Sequence, residues 1–293
     1  SEDFIHFASS LHTPFTQGKE GAVMKLSRRK WLARAVFYGG GIGGFGYGSV
    51  IEKRWRGVTR QVIPLSPQHA ALNGLKIAVM GDFHHDDFGD NGLVRRAVKA
   101  INEENVDLIY LVGDYISNDP SAIVHLCEEL NNLRSTLGTF GIMGNHDCWH
   151  LAPILLTALE DAGVRMLINQ TQEFDNFAII GMDSFWGGSP DLSFALGKID
   201  PDKPLILGWH EPDSFDTYTD PRLVLQVSGH THGGQICAPI FGPLLLPEYG
   251  RKYPYGHYHR EHSSLFVTRG IGTLNIPARF LCPPEVAVLT LAV

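Results

Sequence analysis

From Leu75 onward, short apolar runs alternate along the chain with segments whose apolar positions recur at helical spacing. The runs predict strands at 75–80, 108–112, 139–143, 177–181, 205–207, 223–227, 265–268 and 286–291. The periodic segments predict helices at 92–104, 121–133 and 153–162. Strands separated by helices of ten to fifteen residues indicate βαβ units in a layered α/β fold. After Leu205 the strands come with few helices, so the second half reads as mostly mixed sheet. No repeat or low-complexity linker follows residue 60, which makes 57–293 one catalytic domain.

The pattern before residue 57 is different. A charged head, Lys25 to Lys30, precedes a mildly apolar stretch from Trp31 to Val50 that holds seven glycines between Gly39 and Gly48. Each glycine costs a globular helix about 1 kcal/mol relative to Ala, so residues 24–56 read as an export signal or membrane anchor. Ser27-Arg28-Arg29-Lys30-Trp31-Leu32 is similar to a twin-arginine leader, which sends folded proteins to the export machinery of that name. The stretch is also about long enough to span a bilayer, although Arg34 and the glycines suit a stable span poorly. The expected location is therefore outside the cytoplasm or at the inner membrane, with its cytoplasmic face as the alternative. Met24 looks like a natural start, and residues 1–23 read as a non-native or upstream extension.

Composition narrows the class. At 44% hydrophobic and 19% charged residues the chain is ordinary globular material. Its four scattered cysteines make neither a disulfide framework nor a zinc ribbon. The net charge of −7 conceals a split: residues 1–60 carry 10 Lys/Arg against 4 Asp/Glu, and residues 61–293 carry 14 against 27. A body at −13 argues against a nucleic-acid partner, which would need a basic face.

Five polar clusters stand just past the ends of predicted strands, where α/β sheets collect ligand sites. In order they are Asp82-Phe83-His84, Gly113-Asp114, Gly144-Asn145-His146-Asp147, Gly208-Trp209-His210 and Gly229-His230-Thr231-His232. Each alone is compatible with a turn or a surface histidine; together they deliver carboxylates and imidazoles in one register. That donor set suits Mn, Fe, Zn and similar divalent ions. Alternation along a strand would turn Asp82 with His84, and His230 with His232, to one face. Asp114 is a natural bridge between two cations, and two cations about 3.5–4 Å apart can clamp a phosphate and generate a hydroxide at neutral pH. Glycines 113, 144, 208 and 229 would let the backbone approach the cluster.

The order D-x-H, G-D, G-N-H-D, H, G-H-x-H over residues 75–232 resembles the calcineurin-like metallophosphoesterases. The resemblance implies a four-layer αββα sandwich, two mixed sheets flanked by helices, with a dinuclear centre. It assigns Asp82, His84, Asp114 and His232 to one metal and Asp114, Asn145, His210 and His230 to the other. It also gives His146 the role of protonating the leaving oxygen or steadying the transition state, with Asp147 orienting it.

A narrower resemblance, to the bacterial YkuE/YaeI-type phosphodiesterases, rests on His230-Thr231-His232-Gly233-Gly234-Gln235, Pro239, Tyr253, Thr268-Arg269-Gly270 and Pro284-Glu285-Val286. One departure is Gly81, where that branch usually has a short polar residue or Ala. Arg269 is either a phosphate contact or half of a structural ion pair. His85, Asp86 and Asp87 read as a solvated loop, with His85 a candidate substrate contact. The run His257, His259, His262 reads as a solvent loop, with substrate contact as its alternative. The apolar stretch 241–247 is either a buried connection or a membrane-facing lip for a lipid-linked substrate.

The expected activity is metal-dependent hydrolysis of a phosphodiester or pyrophosphate linkage. The alternative in the same superfamily is a UDP-2,3-diacylglucosamine pyrophosphate hydrolase of lipid A synthesis, whose cytoplasmic substrate conflicts with a working leader. A metal-free scaffold would have lost ligands, and every expected ligand type is present. A serine esterase is excluded by the missing G-x-S-x-G.

Overall fold

The structure is a computed structural model. It describes residues 57–85, 91–117, 119, 121–150, 152–197 and 199–293, together with positions 44, 46–48, 50 and 52. Asp86 and Asp87, and nearly all of residues 1–56, lie outside the described residues.

Two six-stranded sheets face each other. The first takes β1 (Val58–Pro64), β14 (Val286–Ala292), β2 (Lys76–Met80), β3 (Leu108–Leu111), β4 (Gly138–Gly141) and β5 (Val164–Met166) in that spatial order. The second runs β12 (Gly256–Arg260), β13 (Ser263–Val267), β9 (Leu223–Ser228), β8 (Leu205–Gly208), β7 (Ala178–Gly181), β6 (Gln170–Glu173). Both are mixed: β2 to β5 are parallel and β14 joins β2 antiparallel, while β7, β8, β9 and β13 are parallel between antiparallel edges. A two-residue hairpin pairs β10 (Cys237–Ala238) with β11 (Gly242–Pro243).

The side chains explain the stacking. In β2, Ile77 and Val79 point between the sheets, where they meet Ile206, Leu225, Val227 and Phe266; Ala78 and Met80 point the other way. That outer face packs on α1 (Asn91–Glu103), α2 (Ala122–Leu130) and α4 (Ala152–Asp161) through Val98, Ile101, Leu126 and Leu159. Strands buried on both faces must be apolar at every position, which is why they read as uninterrupted runs. The second sheet's outer face carries a thinner layer, α5 (Leu192–Leu196) and a 3₁₀ turn at Pro212–Asp216, with Trp209, Phe215 and Tyr218 filling it. The four-layer α/β expectation therefore holds. No helix among the described residues is long and apolar enough to cross a membrane.

Two sequence expectations are corrected. The His257/His259 segment is not a solvent loop but the edge strand β12, and His257 Nε2 lies 3.1 Å from Ser264 Oγ. The 241–247 stretch is not a buried connection: Phe241 and Leu245 are 86% and 79% exposed.

Candidate metal centre

The loops after β2, β3, β4, β8 and β9 end on one edge of the sandwich and bring eight sequence-predicted residues together. Asp82, His84 and His232 form one group, Asp114, His210 and His230 a second, and His84, Asp114 and His146 a third that joins them. Asn145 completes the set, its Oδ1 2.9 Å from His230 Nδ1.

Asp114 occupies the middle. Its Oδ2 lies 3.2 Å from His84 Nε2 and 3.2 Å from His210 Nε2, while Oδ1 accepts the His146 N–H at 3.0 Å. One carboxylate oxygen thus stands between two imidazoles from opposite sheets. The ligand geometry does not come from strand alternation, as the sequence suggested. Asp82, His84, Asp114, His230 and His232 all lie past the strand ends with left-handed backbones, at φ of 48°, 40°, 54°, 74° and 52°. Non-glycine residues adopt that region at a cost, and clusters of such residues mark functional sites. His230 and His232 consequently turn to different groups.

Glycine makes room at three of the four expected positions. A Cβ on Gly144 would lie 2.2 Å from Asp114 Oδ1, and one on Gly229 2.6 Å from Asp82 Oδ2. Gly113 has φ 91° and presses on Gly144, whereas Gly208 instead makes room for the Tyr110 ring. Gly81 is explained too, since a side chain there would meet Val112 at 2.4 Å.

The residues fit divalent cations. Asp82 Oδ2, His84 Nε2, His210 Nε2 and His232 Nε2 are buried without a hydrogen-bond partner, an arrangement folded proteins rarely leave uncompensated. Orientation of the rings agrees. His210 Nδ1 donates to Val112 O at 2.5 Å, leaving Nε2 bare toward Asp114; His230 Nε2 donates to Glu248 O at 2.7 Å, leaving Nδ1 bare toward Asn145. Burial lowers the pKa of His230 and His232, which favours the neutral form that binds metal. Burial pushes Asp82 up to about 6. Burial also works against the charge on Asp114, but His210 and His84 override it and hold that carboxyl well below the usual range.

Residues 75–234 match the calcineurin-like phosphoesterases. The chain belongs to that family. It is 32% identical over 286 residues to the metallophosphoesterase YkuE of Bacillus subtilis (91% of this chain, 98% of that one). It is 30% identical over 277 residues to the phosphodiesterase YaeI of Escherichia coli (91% and 99%). Among solved structures, a dimetal phosphatase from Danio rerio aligns with a TM-score of 0.43 at 12% identity, over 68% of this chain and 88% of that chain. This metallophosphoesterase is accordingly a metal-dependent hydrolase of phosphoesters.

Three expected contacts change. The Asp147 carboxylate accepts from the main-chain N–H groups of Asp114 (2.7 Å), Gly144 (2.8 Å) and Tyr115 (2.9 Å), so it ties the β3 and β4 loops together rather than orienting the His146 ring. Arg269 pairs with Glu285 at 3.2 Å and lies over Tyr255, the structural reading of the two. His85 is not in a solvated loop: it is buried and bridges the backbone of Ile116.

The metallophosphoesterase also uses residues that sequence reasoning passed over. Buried Glu211 accepts from Ser184 Oγ and the N–H groups of Phe185 and Trp186 at 2.5, 2.8 and 3.2 Å. It thereby holds Trp186 beside His230 (5.8 Å between rings) and against Trp149, which in turn flanks His146 at 5.2 Å. Fully buried Arg279 donates to the carbonyls of His232, Arg269, Gly270, Gly272 and Cys282. Glu211 directly follows His210, a signal the sequence did carry; Arg279 lies in no motif.

Proposed function

We propose that this hydrolase holds two divalent cations and cleaves a phosphodiester or pyrophosphate linkage. Asp82, His84, Asp114 and His232 would hold one ion, and Asp114, Asn145, His210 and His230 the other. The observation that carries the reading is the single Asp114 oxygen flanked equally by His84 and His210, with a separate donor set beyond each. A bound pair of divalent ions supplies Lewis acidity at the phosphoryl oxygens and acidifies water. Manganese, iron and zinc all suit the donors, since carboxylate and imidazole do not discriminate sharply among them.

The chain's own groups supply the rest. His146 opens helix α3 (Asn145–His150), its ring 4.8 Å from that of His84, where it can pass a proton to the departing oxygen. Trp149 and Trp186 stand together on the same side. The leader read at 24–56 supports export or anchoring of the enzyme, and nothing in the described site selects the lipid A pyrophosphate substrate.

Turnover of an aryl phosphodiester, with and without added manganese, tests the reading. Metal-dependent hydrolysis is expected, with His146→Ala lowering kcat by about 10²–10⁴-fold. Metal analysis should find two ions per chain. A single ion, or turnover insensitive to chelation, would refute the dinuclear assignment.

A further inference from the structure

We propose that the β10–β11 hairpin and the loop beside it form a docking surface for an anionic lipid bilayer, which brings the metal centre to a phosphodiester or pyrophosphate carried by a lipid. Ile240, Phe241, Leu244 and Leu245 are 102%, 86%, 58% and 79% exposed, and Ile276 and Leu281 of the neighbouring loop are half-exposed. The two segments are one platform. Ile236 bridges Phe280, Cys237 N–H donates to Phe280 O at 2.8 Å, and the Gln235 amide bonds the main chain of Leu274 and Ile276. Soluble surfaces scatter large apolar side chains singly, and a contiguous group of them marks a contact site. Ile240 moreover has φ 72°, a costly value for a β-branched residue, while its side chain packs on nothing.

The chain leading into this platform says what covers it. The ring of Tyr47 meets that of Phe280, Gly48 O accepts from Arg279 N–H at 3.2 Å, and the Glu52 carboxylate accepts from Cys282 N–H at 2.7 Å. Tyr47, Gly48 and Glu52 thus meet the apolar platform. In sequence the apolar stretch 31–50 is flanked by Lys25, Arg28, Arg29 and Lys30 on one side and by Lys53, Arg54, Trp55 and Arg56 on the other. Apolar surface with cationic and Trp flanks suits an anionic headgroup layer. A second copy of the chain would instead bring two bodies of charge −13 together, against their repulsion.

The platform is also continuous with the metal centre. His232 opens the 3₁₀ turn His232–Gly234, Gly234 packs so closely on Pro243 that a Cβ would lie 2.4 Å from the proline ring, and Arg279 ties the His232 carbonyl to the platform loop. The substrate part of the proposal rests on the hydrolase reading; the docking part does not.

The test is co-sedimentation of the full chain with phosphatidylcholine vesicles containing phosphatidylglycerol. Its comparison is a variant carrying Ile240→Ser, Phe241→Ser, Leu244→Ser and Leu245→Ser. A control variant carries Val124→Ser, Ile154→Ser and Phe194→Ser, which are all more than half exposed but lie on helices elsewhere. Vesicle partitioning should fall at least tenfold in the hairpin variant and stay unchanged in the control, with melting temperature and turnover of a soluble aryl diester preserved in both. Turnover of a vesicle-borne phosphodiester should fall with partitioning. Equal partitioning by the hairpin variant and wild type would overturn the proposal, as would a lipid-free dimer abolished by the same substitutions. Hairpin-dependent binding by a protein that hydrolyses no diester would support the docking surface and refute the hydrolase reading.

Discussion

At the scale of single residues, Asp114 is the point on which the site turns. Its two oxygens serve His84, His210 and the His146 N–H together, so its position tolerates little error. Gly144→Ala should therefore act as a metal-site mutation although it removes no ligand. The added methyl falls on Asp114 Oδ1, and metal analysis should show loss of at least one bound ion per chain, with the fold intact by circular dichroism. Arg279 is the converse case, a positioning residue remote from any phosphate. Replacing it with Met removes donors from five main-chain carbonyls, and a charged donor is worth about 1.5–3 kcal/mol per hydrogen bond. A depressed melting temperature is expected, accompanied by weaker metal affinity because the His232 carbonyl loses its anchor. Unchanged affinity in a folded Arg279→Met protein would reduce the residue to a structural one.

At the scale of elements, the loop from Asp183 to Ser189 shows how a rigid support sets a site's shape. Asp183 accepts from Ser184 and Ser189 N–H, and Glu211 from Ser184, Phe185 and Trp186. With Glu211→Gln, one oxygen no longer accepts, the loop loosens, and Trp186 leaves its place by His230. KM for an aryl diester should rise about tenfold, with kcat changed less, as measured by steady-state kinetics. Elements also explain what the sequence made legible. The inner strands were readable because both their faces are buried, and the five clusters were readable because each follows such a strand. Within the two large sheets, the strands that escaped, β1, β5, β6 and β12, are the four edges. An edge strand has one neighbour and tolerates polar residues, as in the all-polar Gln170–Glu173, so neither periodicity nor apolar run marks it. Asp147 and His85 were misjudged for another reason: both engage main-chain groups of the loop after β3, which no local pattern encodes.

At the scale of the whole molecule, the two sheets meet at the metal centre, with Asp82, His84 and Asp114 from one and His210, His230 and His232 from the other. Cations would therefore act as a clasp between layers. Chelation should lower the melting temperature, because the buried donors contributed by the two sheets lose the ions that join them, and excess manganese should restore it. Calorimetry with and without chelator measures this; an unchanged transition would mean that the layers hold together without the ions.

The strand order has a consequence for how the protein comes into being. Strand β14 lies between β1 and β2, joining segments made first to one made more than two hundred residues later. While a ribosome is still upstream of Val286, β2, which leads into Asp82, has an open flank, and β1 has nothing to pair with. The nascent chain must wait in that state, its apolar strands already exposed, for a seam that arrives last; such long-range closure is slow and vulnerable to aggregation. Ordering of the Asp82 loop is in this sense tied to a strand made more than two hundred residues after β2.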